Sequence, residues 1–175
     1  TLDTQGLHGF QLWFNLPAAE KMDPPRYRDI PRGALARFAT ERFSALAIAG
    51  DWQLGDETVS GPLQELVPQA SMLDVTLGSS MEIAIPVSPT DTALAYIYDG
   101  AIIRQGESVE SGHMVVAEGG DQWVLTAGAG GARLLVITGR PIREPVAAYG
   151  PFVMNTESEI RQAINDYQSG RFLDP

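Results

Sequence analysis

The chain has 175 residues, the length of one ordinary domain, and its 44% hydrophobic and 19% charged residues supply a substantial core and exclude a disordered chain. Its formal charge of −10, with 22 acidic against 12 basic residues, disfavours a phosphate backbone as a direct partner. The absence of cysteine excludes disulfides, thiolate metal ligands and a cysteine nucleophile.

The basic residues are scattered arginines with Lys21 the only lysine, so no basic stripe offsets the net charge and no direct nucleic-acid partner is expected. No apolar run approaches the ~20 residues of a membrane helix, and Thr1–Gly6 lacks the charged start and apolar centre of a secretory signal. Together with the missing cysteine, this sets the expectation of a cytoplasmic protein that does not engage a membrane. Thr1 stands where an initiator methionine would, which processing, a cloning boundary or a fragment would each explain.

In chain order, Phe10-Gln11-Leu12-Trp13-Phe14-Asn15 is aromatic, partly alternating and closed by Leu16-Pro17, which predicts a strand segment within residues 1–17. Residues 18–40 are polar and proline-containing. Met22 to Tyr27 cannot be helical, since Pro24 and Pro25 block the preceding turn, and the stretch predicts a linker. From residue 41 to 140 short apolar segments recur: Phe43–Ala49, Met72–Leu77, Met81–Val87, Ala93–Tyr98, His113–Glu118, Gln122–Ala127 and Ala132–Thr138. Asp51, Gly61-Pro62, Gly78-Ser79, Gly119-Gly120-Asp121 and Gly128–Gly131 punctuate them as turns. Asp99-Gly100 before Ala101-Ile102-Ile103 predicts a hairpin, because glycine tolerates positive φ. No helical pattern interrupts these strands, so an antiparallel sandwich or barrel is expected rather than βαβ units. Residues 141–175 begin extended and end in a helix. Thr156-Glu157-Ser158-Glu159 is a capping box, Ile160, Ala163, Ile164 and Tyr167 share one face, and Gly170 stops the helix.

The chemistry-bearing residues do not assemble into a known pattern. A transition metal needs three or four converging ligands, and the only histidines, His8 and His113, lie far apart in the chain. No Gly-x-Ser-x-Gly elbow accompanies them. The carboxylate pairs Asp56-Glu57, Glu107/Glu110 and Glu157/Glu159 fall in turns, at strand edges or in the helix cap, where solvated charge is the ordinary reading. A phosphate cradle requires a helix after the glycine run, whereas a strand follows Gly131. Trp13, Trp52 and Trp123 read as core residues or as stacking surfaces. Phe152, Val153 and Met154 lie beyond the last predicted sheet strand and need a docking surface, since burying each is worth roughly 1.5–3 kcal/mol.

Three groups of residues resemble the pirin family. They are Gly139-x-Pro141-x-Arg143-Glu144-Pro145; Tyr149 to Thr156 with Glu159-Ile160-x-Gln162-Ala163-Ile164-x-Asp166-Tyr167-Gln168-x-Gly170-x-Phe172; and His8 to Pro17 with Lys21-Met22 and Pro25-x-Tyr27. The likeness covers essentially the whole chain and is looser in the middle. It implies a cupin-like antiparallel β-sandwich or barrel of the jelly-roll type, all-β with a C-terminal helix. Pirins are bicupins, and the family holds an iron-type metal in the N-terminal half through three histidines and a glutamate. The resemblance implies that this chain begins just after that motif, so no catalytic, cofactor-binding or metal-ligating residue is carried over.

The resemblance further implies that residues 8–16 end the N-terminal half and that the C-terminal segment packs back on that half. Phe10, Leu12, Phe152, Val153 and Met154 are therefore the expected interface, with an N-terminal cupin half, a second copy or another protein as partner. The expected role is a metal-free, structural C-terminal half. The rival reading is part of a quercetin 2,3-dioxygenase-like enzyme. A third is a small-ligand binder using the barrel interior, with Trp123 or Tyr96 stacking.

Overall fold

A computed structural model describes residues 9–66, 69–117 and 119–173. The elements in chain order are β1 (Ala36–Ala39), β2 (Phe43–Ala49), β3 (Asp51–Leu54), β4 (Glu57–Ser60), β5 (Ala70–Leu77), β6 (Glu82–Pro86), β7 (Thr92–Arg104), β8 (Glu107–Glu110), β9 (Met114–Ala117), β10 (Gln122–Gly139), β11 (Ala147–Tyr149), β12 (Phe152–Met154) and α1 (Glu157–Gln168). Single 3-10 turns occupy Ala18–Glu20 and Arg32–Ala34. The named strands pair antiparallel. The large sheet runs β1-β2-β5-β10-β7-β8, with β6 added on β10 and β9 on β7, while β3-β4 and β11-β12 form separate two-stranded sheets.

Alternation writes the layers. In β2 the side chains of Phe43, Ala45, Ala47 and Ala49 are buried and those between them half-buried. The two long strands then fold the sheet over itself. The first part of β10 (Gln122–Thr126) pairs with β6, and the last part (Ala132–Gly139) pairs with β5. Likewise β7 gives its first part to β9 and its last to β8. Side chains from both parts, among them Ile85, Ile102 and Leu125 with Leu73, Ile97 and Leu134, meet in one core. The result is sandwich-like rather than a closed barrel.

Two predicted turns are instead bends inside strands. Asp99-Gly100 lies within continuous β7, where the register against β10 slips and leaves Tyr98 as the extra residue. Gly100 has φ +70°, and an added Cβ would stand 2.2 Å from the Gly131 carbonyl oxygen. Gly128–Gly131 lies within continuous β10, at the other register shift, between Ala127 and Ala132. Glycine serves both places because the facing backbones approach too closely for a side chain.

Three other expectations change. Phe10–Asn15 belongs to no named strand among the described residues, and residues 1–8 of that predicted segment lie outside them. The linker ends earlier than residue 40, because β1 pairs with β2 through Ala36↔Ala47 and Phe38↔Ala45. Phe152–Met154 joins a short hairpin with Ala147–Tyr149.

The capping box forms as the sequence predicts. The Glu159 amide donates to Thr156 Oγ1 at 3.3 Å, and the Thr156 amide donates to Glu159 Oε2 at 2.7 Å. Ile160 is buried, and Gly170, at φ +73°, ends the helix as its amide reaches the Tyr167 carbonyl.

Candidate functional site

The interior of the sandwich is filled. Leu73, Val75, Ile85, Ile97, Leu125, Leu134 and Val136 are fully buried, and among the described residues Thr138 is the one polar side chain in the buried set. The Trp52 indole N–H, also inside, donates to the Ala49 carbonyl at 2.9 Å. Hydrocarbon walls with no converging nitrogen or oxygen side chains do not fit an iron-type metal, which the family resemblance implies for the N-terminal half and not for this one. Among the described residues no three His, Asp or Glu side chains converge. His113 is exposed, its Nδ1 3.0 Å from the Glu110 carbonyl oxygen, and His8 lies outside the described residues.

The predicted aromatic residues are placed at different depths. Trp52 is buried, Trp123 packs half-buried against the core, and Trp13 is 71% exposed. Tyr96 faces away from the interior, in a second cluster with Met72, Leu135, Ile48 and Ile137 on the outer side of the sheet. The stacking surface expected inside the barrel is therefore divided between two faces. A cavity of about 340 Å³ is lined by Phe38, Thr40, Phe43, Leu54, Gly55, Ile83 and Ala84, and neither Trp123 nor Tyr96 is part of its wall.

The outer side of the sheet holds the most organised surface. Phe10 sets its ring edge-on to Tyr96, with centroids 5.8 Å apart, and tilted on Tyr98 at 5.3 Å. The Tyr98 hydroxyl donates to Asp74 Oδ1 at 2.5 Å, and the Arg133 guanidinium lies 5.0 Å from the Tyr98 ring centre. Burial pushes the Tyr98 phenol up to about 12; the hydrogen bond and charge of Asp74 add to this, and Arg133 opposes it. Beside this group, Met114 and Val116 of β9 pair with Tyr96 and Leu94 of β7 and remain 57% and 43% exposed. Exposed Leu12, Trp13 and Phe14 follow Phe10. The surface is thus apolar, with an ionic cluster set into it. Nothing in the sequence marked Asp74, Tyr98 and Arg133 as a group, because sheet register alone brings them together.

The expected interface residues fall in two places. Phe10 and Leu12 belong to the arm that crosses the sheet. Phe152 packs instead against Tyr167 of α1 and Phe172, with centroids 6.0 and 5.6 Å apart. Val153 and Met154 are half-buried in the hairpin beside it. The two places are joined by polar contacts. Lys21 Nζ donates to Asn15 Oδ1 at 2.5 Å and to the Val153 carbonyl at 3.0 Å, and Glu144 Oε2 accepts from the Ala18 amide and from Asn155 Nδ2.

Comparison with known proteins agrees with this architecture. Residues 72–173 match the family described as the Pirin C-terminal cupin domain. A Vibrio cholerae protein carrying quercetin 2,3-dioxygenase as a provisional name is 40% identical over 95% of this chain and 59% of its own length. Pirin-1 of Arabidopsis thaliana is 35% identical over 94% of this chain and 58% of its own. The crystal structure of a quercetin 2,3-dioxygenase from Acinetobacter baumannii superposes with a TM-score of 0.79 at 30% identity, across 91% of this chain and 55% of that one. The chain thus spans somewhat over half the length of the relatives it matches. No helix among the described residues is long and apolar enough to cross a membrane.

Proposed function

The chain belongs to the pirin family, and we propose that it works as the metal-free, structural cupin half of a pirin-like bicupin, docking by its outer sheet face on a metal-bearing half. One contrast carries the reading: the interior is packed with hydrocarbon, while Met114 and Val116 stand exposed on the outer face beside the Phe10–Tyr96 pair. Full burial of such a side chain is worth roughly 1.5–3 kcal/mol, of which about half remains to be gained at these two positions. About two fifths of that Vibrio cholerae relative's length lies outside the match, which suits a second cupin half as the cover. The Asp74–Tyr98–Arg133 cluster would give that interface its polar register.

The test mixes this chain with a separately produced N-terminal half of a pirin-like relative and follows mass by light scattering. A one-to-one complex is expected, and a Met114→Asp, Val116→Asp double variant should remain unbound while melting like the parent. A parent chain that stays monomeric with the added half, or a variant that still binds, overturns the reading. Self-association without the added half would make a second copy the partner.

An enzymatic reading is favoured by the likeness to the Acinetobacter baumannii quercetin 2,3-dioxygenase. On that reading turnover belongs to the assembled bicupin, and the present half supplies scaffold. Iron analysis and a quercetin assay on the chain alone separate the two: stoichiometric iron with turnover would show that this half carries chemistry of its own.

A further inference from the structure

Neither β11 nor β12 joins the large sheet; α1 packs on this small hairpin, so the terminal unit gains no ladder from the sandwich. What ties it down comes from the other end of the chain. Lys21 reaches the Val153 carbonyl, 132 positions away, and Glu144 holds the Ala18 amide, 126 positions away. The Val153 carbonyl belongs to the last strand of a two-stranded sheet, where a backbone acceptor otherwise has only water. An ammonium offers three donors and no acceptor; two of its donors meet Asn15 Oδ1 on the arm and Val153 O on the hairpin. Its positive charge also faces Glu159, whose carboxyl it helps to hold low.

We propose that Lys21 is a charge-dependent clasp joining residues 15–21 to the β11-β12-α1 unit, so that arm and terminal helix move together as one body and separate when the amine is neutralised. Lys21 is half-buried and is the only lysine in the chain. Lysine acylation of this chain would therefore fall on that single side chain and remove the charge of the clasp. The clasp does not depend on docking to a second cupin half.

Hydrogen exchange read by mass spectrometry on the full chain tests it, with Lys21→Met as the neutral variant and Lys21→Arg as the charged one. Lys21→Met should speed exchange at least tenfold both in peptides spanning residues 147–154 and in the arm at residues 15–21. Peptides from β5 and β10 should keep their parent rates. Lys21→Arg should stay within about threefold of the parent, because a guanidinium retains the charge and more than two donors. Unchanged exchange in Lys21→Met overturns the clasp. So does acceleration spread equally over β5 and β10, which would mean general destabilisation. Equal acceleration in Lys21→Arg would remove charge as the cause.

Discussion

Gly100→Ala tests the bend that folds the sheet over. At φ +70° an alanine incurs a left-handed backbone cost of about 1–2 kcal/mol. Its Cβ would also stand 2.2 Å from the Gly131 carbonyl oxygen, 3.0 Å from that carbonyl carbon and 3.1 Å from Ala132 Cα. All three atoms are backbone of the facing strand, so relief requires β7 and β10 to part, at a further cost on the order of 1–3 kcal/mol. The expected loss is therefore roughly 2–5 kcal/mol. Gly55→Ala is the matched control: its φ is +62° but nothing lies within 4 Å of the added carbon, so only the backbone cost of about 1–2 kcal/mol applies. Urea unfolding measured by far-ultraviolet circular dichroism gives both values, and an unchanged slope shows that the comparison is one of stability. Equal losses in the two variants would refute the close approach of β7 to β10. They would restore Asp99-Gly100 as an open turn.

Two further expectations concern titration. The Tyr98 phenol, raised to about 12 chiefly by burial and then by Asp74, should give a late phase in an alkaline absorbance titration. Because its folded value is raised, its contribution to stability is complete below the ordinary tyrosine value of about 10 and is lost as pH climbs toward the folded one. Asp74→Asn should move that late phase to lower pH, and a parent titration with no late phase would exclude the Tyr98–Asp74 pair. The Glu159 carboxyl lies below the usual glutamate range, first through the Thr156 hydroxyl and then through the Thr156 and Asn155 amides and the Lys21 charge, against some desolvation. Its contribution is present above about pH 4.3 and disappears as pH falls through the lowered value, so α1 should loosen in acid. Thr156→Ala should cost the helix about 0.5–2 kcal/mol and move that loosening to higher pH, measured by exchange in residues 157–168. An unshifted acid midpoint would rule out the reciprocal cap.

The sequence made the fold legible where one residue type admits one local geometry. Phe43–Ala49 is a strand over the whole predicted span, and Thr156 and Glu159 satisfy each other as their spacing requires. It failed where two geometries make the same local demand. Positive φ at Gly100 suits a hairpin or a bulge equally, and only the facing Gly131 backbone decides between them. Phe10–Asn15 has strand chemistry, but strand pairing is not a property of one segment. The ionic cluster was hidden for a related reason. Asp74 faces Leu135 and Arg133 faces Asp99, while Tyr98, the residue left out of register, donates to the aspartate from the next strand but one. Lys21 carried one usable signal, its singularity, which pointed to no contact.

The three indoles at three depths have an optical consequence. Trp52 is sealed in the core, Trp123 is half-shielded and Trp13 stands in water, so the native emission band is a superposition of blue, intermediate and red components. A soluble quencher reaches Trp13 first, and selective loss of the red edge reports the crossing arm alone. The chain thereby carries its own depth gauge, able to distinguish a covered arm from an opened core without any attached dye.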